Sequence, residues 1–237
     1  MSQELEVVLV DVGNTHIKSA EVVKGDIMNE RHWKNLPDLE RSYLSSIPFC
    51  VCNTGAKTLS FGDRAVHHVS NKSSLPIHLN YKTTETLGAD RIAAAVGCME
   101  LFPKQNSLLI DLGTCMTLDF ISKDGVFEGG VISPGLKMRM KSMARSTANL
   151  PDISEEWEDF DKNLIGKSTK ECLNSGSYFG IINEINGVIG GLRAEFTSLN
   201  VILTGGDAIH FESKVKAHIF AGSKIVLTGL YRIWKNQ

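Results

Sequence analysis

The strongest hydrophobic pattern in the chain is an apolar run that stops at an acidic residue, and it occurs twice. Val8-Leu9-Val10 leads into Asp11-Val12-Gly13-Asn14-Thr15, and 100 positions later Leu108-Leu109-Ile110 leads into Asp111-Leu112-Gly113-Thr114-Cys115. Each apolar run reads as a buried strand. An apolar segment resumes after each turn, at Ile17-Lys18-Ser19-Ala20 and at Thr117-Leu118-Asp119-Phe120, which predicts two hairpins. The repetition predicts two related halves, residues 1–104 and 105–237, divided near Pro103-Lys104-Gln105-Asn106.

Helical spacing follows each hairpin. Ile92, Ala95, Val96 and Met99 fall on one face of an alanine-rich helix that Gly88-Ala89-Asp90-Arg91 opens. A longer helical region spans about residues 168–196 and contains Gly176, Gly180, Gly187 and Gly191. Each glycine costs a helix roughly 1 kcal/mol relative to alanine. Either another backbone packs closely on them, or turns break the helix there; the sequence leaves both open. Val201-Ile202-Leu203 predicts a strand ending in the turn Thr204-Gly205-Gly206-Asp207, and Lys224-Ile225-Val226-Leu227 a last strand. Strands and helices mixed throughout predict an α/β fold.

With 237 residues, 42% of them hydrophobic and 22% charged, the chain can bury a large core. Its 25 basic and 27 acidic side chains leave a net charge of −2, so no global attraction to nucleic acid or to an anionic membrane is expected. Charge-free runs fall short of the roughly 18 apolar residues of a membrane helix, and Glu4 and Glu6 do not suit a secretory signal. The five cysteines form no disulfide framework, and reduced thiols in a cytoplasm are expected. Cys50 and Cys52 would point the same way on a strand; with no second pair at zinc-site spacing, they read as buried free thiols. His67, His68 and His78 read as surface histidines.

Chemistry concentrates in the turns. Gly13 lets the backbone approach a ligand, and successive N–H groups in such a turn can cradle phosphate oxygens. Asn14, Thr15 and Lys18 can donate to them, and Asp11 can hold magnesium through water. A plain Asx-turn hairpin is the other reading. The second copy, with Asp111, Gly113 and Thr114, favours a polyphosphate held from two sides. The Thr204-Gly205-Gly206-Asp207 turn then supplies room for a base or ribose. No G-x-x-x-x-G-K-[ST] loop and no G-x-G-x-x-G fingerprint after a strand is present.

This set resembles the acetate and sugar kinase, Hsp70 and actin superfamily. The resemblance implies an α/β fold of two related ribonuclease-H-like, actin-like ATPase halves with a nucleotide cleft between them. Three further segments resemble type III pantothenate kinases: Gly88-Ala89-Asp90-Arg91, then Glu128-Gly129-Gly130-Val131-Ile132-Ser133-Pro134-Gly135-Leu136 with Leu150-Pro151, then Gly166-Lys167-Ser168-Thr169 with Ser175-Gly176. That family resemblance implies ATP-dependent phosphorylation of pantothenate to 4′-phosphopantothenate, the first step of coenzyme A synthesis, by a cytoplasmic homodimer. It implies ATP contacts at Asp11, Val12, Gly13, Asn14, Thr15, His16, Ile17, Lys18 and Thr114. It implies Mg2+ at Asp11 through water, and K+ or NH4+ at Asp111. Asp90 would be the general base, and Tyr81, Gly88, Ala89, Asp90, Arg91 and Thr169 would contact pantothenate. The chain departs from the family pattern at His16 and Lys18 and at Cys115-Met116.

Structural readings stand beside these. Asp90 can cap the helix, Arg91 can pair with a nearby acid, and Tyr81 can be a half-buried strand residue. Lys137, Arg139, Lys141 and Arg145 form either a solvated helix face or a patch that attracts ATP. The rival functions are another kinase of the superfamily, or a non-catalytic nucleotide-binding regulator. The presence of Asp11, Asp90 and Asp111 together favours an enzyme.

Overall fold

Both Asp-x-Gly turns join neighbouring strands, as the apolar runs require. The computed structural model describes residues 5–14, 16–55, 59, 61–215, 219–221 and 224–237. In chain order the elements are β1 (Leu5–Val12), β2 (Ile17–Val23), β3 (Asp26–Trp33), α1 (Leu36–Arg41), β4 (Phe49–Asn53), β5 (Val66–His68) and β6 (His78–Leu79). They continue with α2 (Ala89–Leu101), β7 (Ser107–Leu112), β8 (Cys115–Ile121), β9 (Val126–Pro134), α3 (Leu136–Ser146), α4 (Thr169–Glu195), β10 (Asn200–Thr204), β11 (Ile219–Ala221) and α5 (Ile225–Lys235). The chain forms two compact units. One is Met1–Gln105 with Ile121–Gly129 and Ser223–Gln237; the other is Asn106–Phe120 with Gly130–Gly222. Besides the crossing at residue 105 the chain passes between the units at residues 120–121, 129–130 and 222–223, the last returning the C-terminal helix to the first unit.

In the first unit the strand order is β3-β2-β1-β4-β5. β1 pairs antiparallel with β2 and parallel with β4. Both of its faces are covered, which is why its apolar run is continuous rather than alternating. Val8, Val10 and Val12 pack with Leu39, Phe49 and Val51 on one side; α2 and α5 lie against the sheet as well. Lys24 and Gly25, with φ of 52° and 86°, close the two-residue β2–β3 hairpin, whose twist demands positive φ at both positions. β6 pairs parallel with the start of β9, His78 opposite Val126 and Leu79 opposite Phe127. The polar turn at residues 70–74 is tied down: Ser70 N donates to Ser73 Oγ at 3.1 Å, and Asn236 Nδ2 to the Ser74 carbonyl at 2.8 Å.

The last strand expected at Lys224–Leu227 is a helix. Its buried residues are Ile225, Leu227, Gly229, Leu230 and Ile233, and the helical spacing of Ile225, Gly229 and Ile233 among them extends beyond the four residues read alone. The reason is its packing on α2. A Cβ on Gly97 would overlap the Ile225 carbonyl, and one on Gly229 would overlap the Ala93 carbonyl.

In the second unit the strands run β11-β10-β7-β8-β9, with β10 parallel to both β7 and β11. α4 lays Leu173, Tyr178, Ile181, Ile185 and Ile189 into a core with Leu108, Ile110 and Leu112 of β7 and Val201 and Leu203 of β10. It is unbroken over Thr169–Glu195 despite its glycines. Tertiary burial of its apolar face outweighs the glycine cost. Nor does another backbone among the described residues approach these glycines, the other reading left open: Gly176, Gly187, Gly190 and Gly191 have open space where a Cβ would stand, and Gly180 faces Arg139 Nη1 at 3.2 Å.

Replacing Gly229 with Val forces a branched side chain into the α2–α5 contact. We expect a loss of about 3 kcal/mol in urea unfolding followed by circular dichroism. Gly187→Ala, in open space on a helix, should instead gain about 1 kcal/mol.

Candidate active site

The first unit gathers a group of charged side chains at the end of β1. Asp11 is the penultimate residue of that strand, opposite Lys18 of β2 and in parallel register with Cys52 of β4. The turn is closed by Gly13 N donating to the His16 carbonyl at 3.0 Å, while Thr54 N donates to the Val12 carbonyl at 3.0 Å. Asn14 and His16 are exposed, and Ile17 and Lys18 half-buried. Thr15 lies outside the described residues. The Cys52 thiol donates to Asp11 Oδ1 at 3.2 Å. Burial pushes the Asp11 carboxyl up, the Cys52 hydrogen bond opposes this, the charge of Asp90 adds to it, and Lys18 counters it. The Cys52 thiol is held well above its ordinary value by burial and by the neighbouring Asp11. Burial alone raises Cys50 to about 12.

Asp90 sits in the first turn of α2, not at its cap. The cap is Gly88, which makes no side-chain hydrogen bond. Asp90 Oδ1 accepts from Arg91 N at 2.7 Å, so the carboxylate faces the unpaired N–H groups and positive dipole end of the helix. Gly88 is needed for this pose, since a Cβ there would lie 2.5 Å from Asp90 Oδ1. Burial raises the Asp90 carboxyl; the Arg91 N–H and guanidinium pull it down less strongly. Arg91 is buried, its guanidinium 5.9 Å from the Tyr81 ring and 5.6 Å from the Phe127 ring. Tyr81 lies just beyond β6, meeting Phe127 edge-on at 5.9 Å. The structure therefore brings Asp11, Lys18, Asp90, Arg91 and Tyr81 together with two residues outside the expected set, Cys52 and Phe127. The strand register signals Cys52 once β4 is paired to β1; nothing local marks Phe127.

The second unit repeats the arrangement around Asp111. Asp111 of β7 stands in parallel register with Thr204 of β10. Gly205, at φ 95°, follows so closely that a Cβ there would lie 2.5 Å from Asp111 Oδ1. Asp207 N donates to the Leu112 carbonyl at 3.0 Å. Thr114 is exposed in the turn, and its carbonyl accepts from Gly135 N at 3.1 Å. The Thr-Gly-Gly turn and the Pro-Gly segment thus both meet this hairpin, within one unit. Thr169 lies on another element, as the exposed first residue of α4 after the Ser168 cap, whose Oγ accepts from Glu171 N at 3.3 Å. Three of the four basic residues of α3 are ion-paired: Lys137 and Lys141 with Glu155 at 2.8 and 3.3 Å, and Arg139 with Glu184. That helix is a paired face rather than an open positive patch. Cys50 and Cys52 are buried and free. No group of three or more His, Cys, Asp or Glu among the described residues forms a cage for a metal.

The fold is a two-sheet α/β fold of ribonuclease-H-like type. It is similar to a solved structure from Campylobacter jejuni described as a candidate Baf family transcriptional activator, with TM-score 0.62 and 18% identity over 97% of this chain and 98% of that one. It is similar as well to a candidate 2-dehydro-3-deoxygalactonokinase from Sinorhizobium meliloti, with TM-score 0.58 and 12% identity over 97% and 98% of the two chains. The sequence narrows this class. The model of the type III pantothenate kinase family matches residues 43–190. A type III pantothenate kinase from Cytophaga hutchinsonii is 39% identical over 231 residues, 95% of this chain and 97% of the relative. The chain belongs to the type III pantothenate kinase family.

The raised carboxyl of Asp90 has a consequence for stability. Between its ordinary value of 3.8 and its raised folded value, the folded state holds a proton that the unfolded chain releases. Stability therefore falls as pH rises through that window. Asp90→Asn removes the cost of the buried charge. Its melting temperature should exceed the parent's at pH 7, by a few degrees, with the difference closing as pH drops below about 4. A difference that does not change with pH would contradict the assigned burial effect.

Proposed function

We propose that this chain transfers the γ-phosphoryl group of ATP to the hydroxyl of pantothenate, giving 4′-phosphopantothenate and ADP and opening coenzyme A synthesis. The observation that carries the reading is the Asp90 carboxylate: poised at the start of α2 with its proton affinity raised by burial, in a chain of this kinase family. A base whose pKa is moved toward neutrality accepts a hydroxyl proton more effectively.

In the proposed reaction Asp90 takes the proton of the pantothenate hydroxyl. The freed oxygen attacks the γ-phosphorus in line, and the bond to the β-phosphate oxygen breaks with ADP leaving. Arg91, a buried guanidinium beside the Tyr81 and Phe127 rings, would hold the pantothenate carboxylate. Tyr81, Gly88, Ala89 and Thr169 are assigned to the same substrate. The turn from Asp11 to Lys18 is assigned to the ATP phosphates, which its N–H groups and the Lys18 charge would neutralise. In the second unit Thr114 is assigned as a phosphate contact.

Two cations fit the residues present. Asp11 is a half-buried carboxylate facing the charge of Asp90, a repulsion that a nearby Mg2+ would relieve. A single protein carboxylate completed by water and phosphate oxygens suits that ion. When bound, magnesium supplies charge neutralisation and alignment of the phosphates. Asp111, with the Gly205 backbone close against its carboxylate, is assigned to the monovalent cation, K+ or NH4+. The homodimer and the cytoplasmic location expected of the family belong to the same proposal.

The test is ATP consumption by the purified protein with magnesium, with and without pantothenate, in sodium and then in potassium or ammonium. Turnover should need pantothenate together with potassium or ammonium. Absence of turnover in every cation, with ATP still bound, would overturn the reading. Asp90→Asn should lower kcat by about 10²–10⁴-fold with pantothenate binding retained. In the parent, kcat/KM should fall on the acid side through a pKa above the ordinary 3.8, because protonated Asp90 cannot accept the proton. The variant should lack that limb.

A further inference from the structure

We propose that Cys52 is a positioning residue for Asp11, its thiol orienting the carboxylate that the proposed reaction assigns to magnesium and the ATP phosphates. The inference rests on that assignment and extends it to a residue outside the hairpin.

The geometry is specific. β1 and β4 run parallel with Asp11 and Cys52 as register partners, and the sulfur lies 3.2 Å from Oδ1. An ionised carboxylate only accepts, so the thiol is the donor. Cys52 is fully buried on a strand whose neighbours are fixed, so the donor has little freedom to turn away. The other thiol on the same face, two residues earlier, is committed elsewhere: Cys50 Sγ lies 3.5 Å from the Leu230 carbonyl. Oδ1 accepts from an uncharged donor, so the carboxylate is oriented without a counter-charge, and its remaining lone pairs stay available to water or metal. Second-tier hydrogen bonds of this kind typically matter by 10–100-fold in metal affinity.

The second unit places a hydroxyl in the corresponding position. Thr204 is the parallel register partner of Asp111, just as Cys52 is of Asp11. In both halves the residue beside the acid, on the adjacent parallel strand, carries a side-chain donor.

The experiment uses the full chain and four variants: Cys52→Ala, Cys52→Ser, Cys50→Ala and Asp11→Asn. Two quantities are read. One is the magnesium concentration giving half-maximal rate at saturating ATP and pantothenate. The other is Mn2+ affinity with a non-hydrolysable ATP analogue, from the electron paramagnetic resonance of free Mn2+. Melting temperatures accompany both.

Cys52→Ala should raise the magnesium requirement and weaken Mn2+ binding on the order of tenfold, leaving the KM for pantothenate unchanged. Cys52→Ser keeps a donor and should recover to within about threefold. Cys50→Ala opens a comparable void without touching Asp11, so it should lower the melting temperature and leave both metal readings alone. Wild-type metal readings in Cys52→Ala, with Asp11→Asn strongly impaired, would overturn the role of Cys52 and leave that of Asp11 standing. Equal losses in Cys50→Ala and Cys52→Ala, unrescued by Ser, would overturn it as a packing effect. Unchanged Mn2+ affinity in Asp11→Asn would overturn the assignment of Asp11 and this inference with it.

Discussion

The pairing of β1 with β2 on one side and β4 on the other is the constraint from which the first unit's chemistry follows. A strand buried on both faces has to satisfy every backbone group through its ladders. That requirement fixes its register on both sides at once. Asp11, next to last in the strand, is then held with Lys18 across one ladder and Cys52 across the other. A slip of either pairing would carry Asp11 away from Lys18 or from Cys52.

The same architecture explains why the carboxylates are uneasy. Asp11 and Asp90 are each pushed toward neutrality by burial, and the charge of Asp90 raises Asp11 further. A structure selected only for stability would separate them or replace one. Keeping two like charges in a poorly solvated place costs stability, and such a cost is usual at functional sites. The donors supplied nearby are modest: a thiol to Asp11, and the backbone N–H groups of Arg91 and of Asp90 itself to the Asp90 carboxylate. They orient the carboxylates without neutralising them.

Glycines do different work in the two units. Gly97 and Gly229 remove the side chains that would separate α2 from α5, and that contact fastens the C-terminal helix to the first unit. Gly205, with its positive φ, lets β10 turn tightly over Asp111. The glycines of α4 mostly face open space instead, and the helix persists because its isoleucines and Tyr178 are buried along the opposite side.

Much of this was legible in the residues. The duplicated apolar runs announced two hairpins with acids at their ends, because a buried strand needs continuous hydrophobicity and a turn needs Gly and a short polar residue. The alanine-rich helix after Gly88 followed from its period, and the ordered set of motifs pointed to the kinase family. Other features needed the third dimension. Whether residues 224–227 formed strand or helix was decided by the docking of Gly229 on Ala93 and Gly97, a contact between segments more than 100 positions apart. Whether Asp90 was a cap was decided by the helix beginning one residue earlier, at Ala89. Cys52 read as an inert buried thiol until strand pairing set it beside Asp11. The sequence by itself determined which residues carry charge, where the chain turns and which segments must be buried, since these are properties of neighbours along the chain. Only the tertiary structure decided which buried groups face one another, because register and helix docking are set by packing between distant segments, and it is those encounters that shift the carboxylates.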